Sequence, residues 1–225
     1  MGACSSGTKL QGGPTTSTRP RGPIITPKTQ PTVARTTVPG TGTTAPPGTV
    51  APTGSLASLL ITSVPDAFPQ QIDSVADTGP TDLAKAALDD NSTTARRALL
   101  VTGFVRGYQR MWTGVTGSPP HLIDNQNFIF LYQFQSAKGA AGYAEHWREN
   151  DVQNATANGT APSTFSPAYM PGSIGLRIQD DTGSTGIVIF SKGVYAVRAI
   201  ANATSKENPA GSVTQLALGE YTLLP

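Results

Sequence analysis

Only 13% of the 225 residues are charged, about half the usual share, while the 24 glycines and 19 prolines are numerous. Five basic and no acidic residues precede residue 56, whereas residues 56–225 carry 11 basic against 14 acidic groups, a balance of −3, which argues against a nucleic-acid-binding domain. A single cysteine excludes intrachain disulfides and Cys-rich metal sites, and no apolar run is long enough to span a membrane as a helix.

The first element in chain order is the terminus, residues 1–7, which holds that cysteine, Cys4, ahead of a segment that cannot pack. A thiol there is hard to explain as core and easy to explain as a lipid attachment point. Gly2-Ala3-Cys4-Ser5 fits the end of a bacterial lipobox, in which the cysteine takes a thioether-linked diacylglycerol; Met1 stands where such motifs usually carry leucine, so an upstream start is expected. Met1-Gly2-Ala3-Cys4-Ser5-Ser6 also fits myristoylation at Gly2 with palmitate on Cys4. The plain alternative is a free, exposed thiol. No complete signal peptide precedes the cysteine, so export depends on that upstream start.

Residues 8–55 are rich in Thr, Pro and Gly and carry too little apolar surface to offset ordering entropy, which predicts a disordered, partly polyproline stalk. About fifty such residues span roughly 40 Å as a coil and on the order of 150 Å as extended polyproline. That reach suits a domain held away from a membrane.

From residue 56 to 225 the pattern predicts one globular domain. Leu56, Leu59, Leu60, Ile61 and Val64 form a first apolar segment, read as a strand. Pro80-Thr81-Asp82 starts a helix that ends at Asp89-Asp90-Asn91; Ser92 or Thr93 caps a second, ending at Gly103. Residues 104–112 and 128–134 read as strands. Ser136 caps a third helix with a stripe of Ala137, Ala140, Ala141, Ala144 and Trp147. Residues 150–172 read as an extended loop, strands follow near 174–179, 186–190 and 194–200, and a helix from Ala210 to Leu218 precedes a last strand at Tyr221 to Leu224. This order predicts an α+β fold: a single antiparallel sheet of about five or six strands, covered by helices on one side.

Catalytic signatures are weak. The two histidines are His121, in a predicted loop, and His146, on the helix side opposite the alanine stripe. Glu145, His146 and Glu149 could be arranged as metal ligands, but a solvated helix face that also holds Lys138 accounts for them more simply. Neither a nucleophile elbow nor a phosphate-binding loop occurs. The reading is therefore not an enzyme, with no catalytic residue, no metal and no cofactor. One constellation stands out: Arg106, Tyr108, Arg110 and Trp112 alternate along one face of their strand, and Phe128, Phe130, Tyr132 and Phe134 along one face of the next. If the two faces coincide, they make an aromatic surface with two guanidiniums, suited to a lipid, a sugar ring or an anionic head group. The plainer alternative carries more weight: the aromatics of 128–134 fill the core while the arginines reach outward from an edge.

Taken together, Cys4-Ser5-Ser6-Gly7, the Thr/Pro-rich stalk, Gly79-Pro80-Thr81-Asp82-Leu83-Ala84-Lys85-Ala86, Ala95-Arg96-Arg97-Ala98-Leu99, the run Gly103 to Trp112 and Phe130-Leu131-Tyr132-Gln133-Phe134 resemble an uncharacterised type of actinobacterial exported lipoprotein. The likeness covers roughly residues 60–225 besides the terminus. It implies lipid attachment at Cys4 and a place on the outer face of the cell membrane, extending into the cell wall. It also suggests a Mog1/PsbP-like domain, and it supplies no catalytic residue. The expected protein is a lipid-anchored binding or accessory module of the bacterial envelope. Its expected partners are the membrane, through Cys4, and a lipid, glycan or envelope protein, but no nucleic acid. The alternatives are a protein-interaction module docking through a sheet edge or the 150–172 segment and, less favoured, a hydrolase using His121 or His146.

Overall fold

The computed structural model describes residues 55–62, 71–73, 78–114, 126–181, 183–203 and 208–225. Cys4, the stalk before Ser55 and His121 lie outside the described residues. The chain enters through a 3-10 turn, Leu56–Leu59, followed by β1 (Gln71–Asp73), β2 (Gly79–Thr81), α1 (Leu83–Asp90) and α2 (Ala95–Thr102). Then come β3 (Phe104–Gly114), β4 (Gln126–Phe134), α3 (Ala137–Ala157), β5 (Ser163–Phe165), β6 (Ile174–Gln179), β7 (Ser184–Lys192), β8 (Tyr195–Ala203) and α4 (Ala210–Leu223).

The fold is α+β, with every described strand in one antiparallel sheet. Across it the order runs β3-β4-β8-β7-β6-β5, with β1 and β2 both paired along the outer edge of β3. Eight strands are present among the described residues instead of the five or six expected. The additional ones include β1, β2 and β5, each three residues long and too short to show alternation.

The helix ends follow local chemistry. The Asp82 carboxylate accepts the Lys85 N–H at 2.8 Å to start α1, and Asn91 stops it in a left-handed conformation (φ 57°). Gly103 stops α2 at φ 77°, where a Cβ would be strained, and its N–H bonds to the Leu99 and Leu100 carbonyls. Ser136 Oγ accepts the Gly139 N–H at 3.1 Å to open α3. At α2 itself the cap position falls to Thr94, without a side-chain bond, rather than to Ser92 or Thr93.

Helices cover both faces of the sheet, not one. On the first face α1, α2 and α3 bury Ala86, Leu99, Tyr143 and Trp147 against Phe130, Tyr132, Phe134 and Ile189. On the other, α4 and the 3-10 turn bury Leu216, Val213 and Leu56 against Trp112, Ile129, Leu131 and Val197. Three expectations change accordingly. The first apolar segment begins as a 3-10 turn, not a strand, because Ser55 caps it by accepting the Ala57 N–H at 3.2 Å. Residues 150–172 are not a continuous loop: α3 continues to Ala157 because Asn150, Asp151 and Ala155 face inward, and β5 follows. Tyr221 to Leu223 extend α4 instead of forming a strand.

Gly139 sits where α3 crosses the end of α2. A Cβ there would fall well inside contact distance of the Thr102 carbonyl oxygen, a backbone atom that cannot rotate away. Gly139→Ala is expected to destabilise the domain by about 1–3 kcal/mol through this overpacking. An unchanged thermal midpoint would show that the two helices part without cost.

Candidate functional site

β3 and β4 are antiparallel neighbours, but their register separates the two faces read from the sequence. Tyr108 pairs with Leu131, Arg110 with Ile129 and Trp112 with Asn127, so the even residues of β3 share a face with the odd residues of β4. Arg106, Tyr108, Arg110 and Trp112 therefore lie on the α4 side, whereas Phe128, Phe130, Tyr132 and Phe134 lie on the α3 side. A bulge between Phe104 and Arg106 moves Phe104 across as well, where its ring meets Tyr132 edge-on at 5.3 Å. The continuous aromatic–guanidinium surface is not formed. The aromatics of β4 fill the core under α3, with Tyr132 4.9 Å from Trp147 and Phe134 5.4 Å from Tyr143, ring centre to ring centre.

The four α4-side residues then divide into two pairs. Arg106 and Tyr108 line an open cleft of about 720 Å³ between the 3-10 turn, β2, the start of α1 and β3. Its walls include Leu56, Pro80, Leu83 and Val105, with Asp82 and Lys85 at one end. Arg106 Nε donates to Gln133 Oε1 at 2.8 Å, and Lys85 Nζ donates to Asp89 at 2.9 Å and to Gln109 at 2.9 Å. These bonds hold the cation-bearing stems in place beside apolar walls. Thr81, which also borders the cleft, buries a hydroxyl with no hydrogen-bond partner among the described residues.

Arg110 and Trp112 are turned into the fold. Trp112 is buried in the core, 6.0 Å from the Arg110 guanidinium. Arg110 Nη1 donates to the Ile61 carbonyl at 2.6 Å, while Glu220 Oε2 accepts the Ile61 N–H at 3.1 Å. The backbone of one residue is thus held at both its N–H and its carbonyl, through the two peptide groups that flank it. Glu220 is fully buried, and burial pushes its carboxyl up to about 7 against the opposing effects of the Ile61 N–H and the Arg110 charge.

A second polar cluster lies under α3. Buried Asp90 accepts from the Tyr143 hydroxyl at 2.7 Å, stands 3.3 Å from His146 Nε2, and uses its backbone carbonyl to accept from Asn150 Nδ2 at 2.9 Å. Burial, followed by the charge of Asp90, pushes the Tyr143 phenol well above its ordinary value. Asp151 pairs with Arg198 through two hydrogen bonds, one of them from Nε at 3.0 Å. Burial pushes the Asp151 carboxyl upward, outweighing the neighbouring guanidinium. Thus His146 is not on a purely solvated face: it turns to Asp90, whereas Glu145 turns away and pairs with Arg148. The Arg148 hydrogen bond holds the Glu145 carboxyl below the usual carboxylate range. No group of three metal-ligating side chains converges among the described residues.

Sequence reasoning picked out Arg106 and Tyr108 through strand alternation. It missed Glu220, a single carboxylate inside the apolar run Leu216-Ala217-Leu218-Gly219-Glu220-Tyr221, which was the available signal of a buried acid.

No family model matches the chain, and no curated protein matches it. Among solved structures it is similar to the extracellular domain of PknH from Mycobacterium tuberculosis, with 11% identity and a TM-score of 0.40, over 68% of this chain and 83% of that one. A likeness at that level transfers neither function nor site residues.

Proposed function

We propose that the protein is a lipid-anchored binding module of the bacterial envelope, tethered through Cys4 and held on the outer face of the membrane by its Thr/Pro-rich stalk. Its cleft takes a small amphipathic ligand carrying an anionic group. The observation behind the ligand class is the placing of Arg106 and Tyr108 in a cleft whose walls also include Leu56, Pro80, Leu83 and Val105, with Lys85 and Asp82 at one end. Apolar walls of that kind bury a chain or ring, and a partly desolvated guanidinium fixes an anion. The reading is non-enzymatic and needs no cofactor. The anchor is supported by the sequence around Cys4 and by the resemblance to actinobacterial lipoproteins.

The protein-interaction alternative would use an edge of the sheet, either β5, three residues long, or β1 and β2 on the opposite side, each also three residues long; such short edges offer few backbone groups for strand addition. The cleft is the better-founded site. Titration with lysophosphatidylglycerol, a single-chain anionic lipid, below its micelle concentration, followed by backbone amide shifts, is expected to move residues 81–85 and 105–108 saturably. Arg106→Ala is expected to weaken binding at least about tenfold, the worth of one charged hydrogen bond. Unsaturable shifts, or equal affinity in that variant, would overturn the ligand class. Anchoring is checked separately by the mass of the amino-terminal peptide from the native membrane: an unacylated peptide ends that part of the reading.

A further inference from the structure

We propose that the outward face of α2 is a docking surface for an anionic lipid bilayer. The helix is amphipathic in an unusual sense. Ala95 and Leu99 are buried against the core, while Arg96, Arg97, Leu100 and Val101 all face outward. At about 100° per residue these four occupy one arc of roughly 140°. Leu100 is 59% exposed and Val101 79%, with Leu88 of the adjacent α1 at 74%. Among the described residues neither Arg96 nor Arg97 has a hydrogen bond or an ion pair, although the domain as a whole carries an excess of acid.

Along the chain, the charge on and next to this helix is one-sided. No acidic residue occurs between Asp90 and Asp124, and Asp90 is itself buried. Exposed Lys138, next to the Gly139 that abuts Thr102 at the end of α2, adds a third cation. Aliphatic side chains flanked by unpaired cations match the boundary between acyl chains and anionic head groups, where the aliphatics enter and the guanidiniums meet phosphate. A protein partner would instead have to supply complementary acid. Two arginines and two aliphatics bind weakly by themselves. A tether to the same bilayer would raise the effective concentration to the millimolar range and make weak docking sufficient.

The tether that makes weak docking sufficient is the anchor of the proposed function, and to that extent the inference rests on that reading; the residues lie outside the cleft and their contact with lipid is read without acylation, so the two fail separately. The test is co-sedimentation of the full chain carrying Cys4→Ser with vesicles of phosphatidylcholine, or of phosphatidylcholine mixed equally with phosphatidylglycerol. The five basic residues before residue 56 bind anionic vesicles too, so the variants decide. Arg96→Gln/Arg97→Gln and Leu100→Ser/Val101→Ser are each expected to lower partitioning into the anionic vesicles by about tenfold. Folding of these exposed-site variants is checked by an unchanged thermal midpoint. Both variants partitioning like the parent would overturn the proposal. So would loss of self-association or of a co-purifying protein without loss of vesicle binding, since either assigns the face to another occupant.

Discussion

Asp151→Ala is expected to cost about 2–4 kcal/mol of folding stability, because it leaves a largely buried guanidinium without its partner. Arg198 lies on β8 under α3, hydrogen-bonded to Asp151 and stacked 5.9 Å from the centre of the Phe130 ring. With the carboxylate gone, the cation must either stay unpaired against an aromatic wall or pull its strand toward water. The double variant Asp151→Ala/Arg198→Leu is expected to recover a large part of the loss, since an apolar replacement of the whole pair removes the uncompensated charge. Urea unfolding midpoints of the single and double variants measure the difference. Equal midpoints would assign the cost to lost packing rather than to charge.

The second large effect depends on pH. Glu220 has a folded value of about 7 against an ordinary 4.5, so the folded state keeps a proton that the unfolded chain has already released between those values. The stability this contributes is complete below about pH 4.5, falls as pH rises through that window and is gone above 7. Arg110 from β3 is the charged group that opposes the shift, and the Ile61 N–H is the hydrogen-bond donor that does so. At roughly 1.4 kcal/mol per pH unit, the ionised carboxylate costs on the order of 3 kcal/mol in alkaline solution. Glu220→Gln, of the same shape and always neutral, is expected to raise stability by about that amount at pH 8 and to change it little at pH 4. Thermal unfolding of both proteins across the range provides the check. A constant difference at every pH would place the effect in packing.

What could be read from the sequence was governed by range of interaction. Asp82, Gly103 and Ser136 mark helix ends by bonds to backbone groups three or four residues away, and these positions are correct. The α+β class follows from the same local order. Strand parity between β3 and β4 is another matter. It depends on which residues pair across the hairpin and on the bulge at Val105, and neither leaves a trace in alternation alone. The aromatic face was therefore assembled from residues that point to opposite sides of the sheet. In α3 the alanine pattern suggested a stripe through Ala137 and Ala141, yet both are exposed, and Tyr143, Asn150 and Asp151 are buried instead. Polar residues are assigned outward by composition, and here they turn inward because Asp90 and Arg198 await them. Arg106 and Tyr108 were legible as members of a common face. That the cleft lies beside them depends on β2 and the 3-10 turn, whose placement no local pattern announces.

The clasp on Ile61 has a mechanical consequence. Its two holds come from residues 49 and 159 positions further along the chain, one on the sheet and one on the last helix. The segment that enters at Ser55 is therefore fastened to the sheet and to the last helix at once, before it reaches a strand, and it is held there by buried Leu56 and Leu60 as well. The carboxylate half of that grip changes its charge with proton concentration.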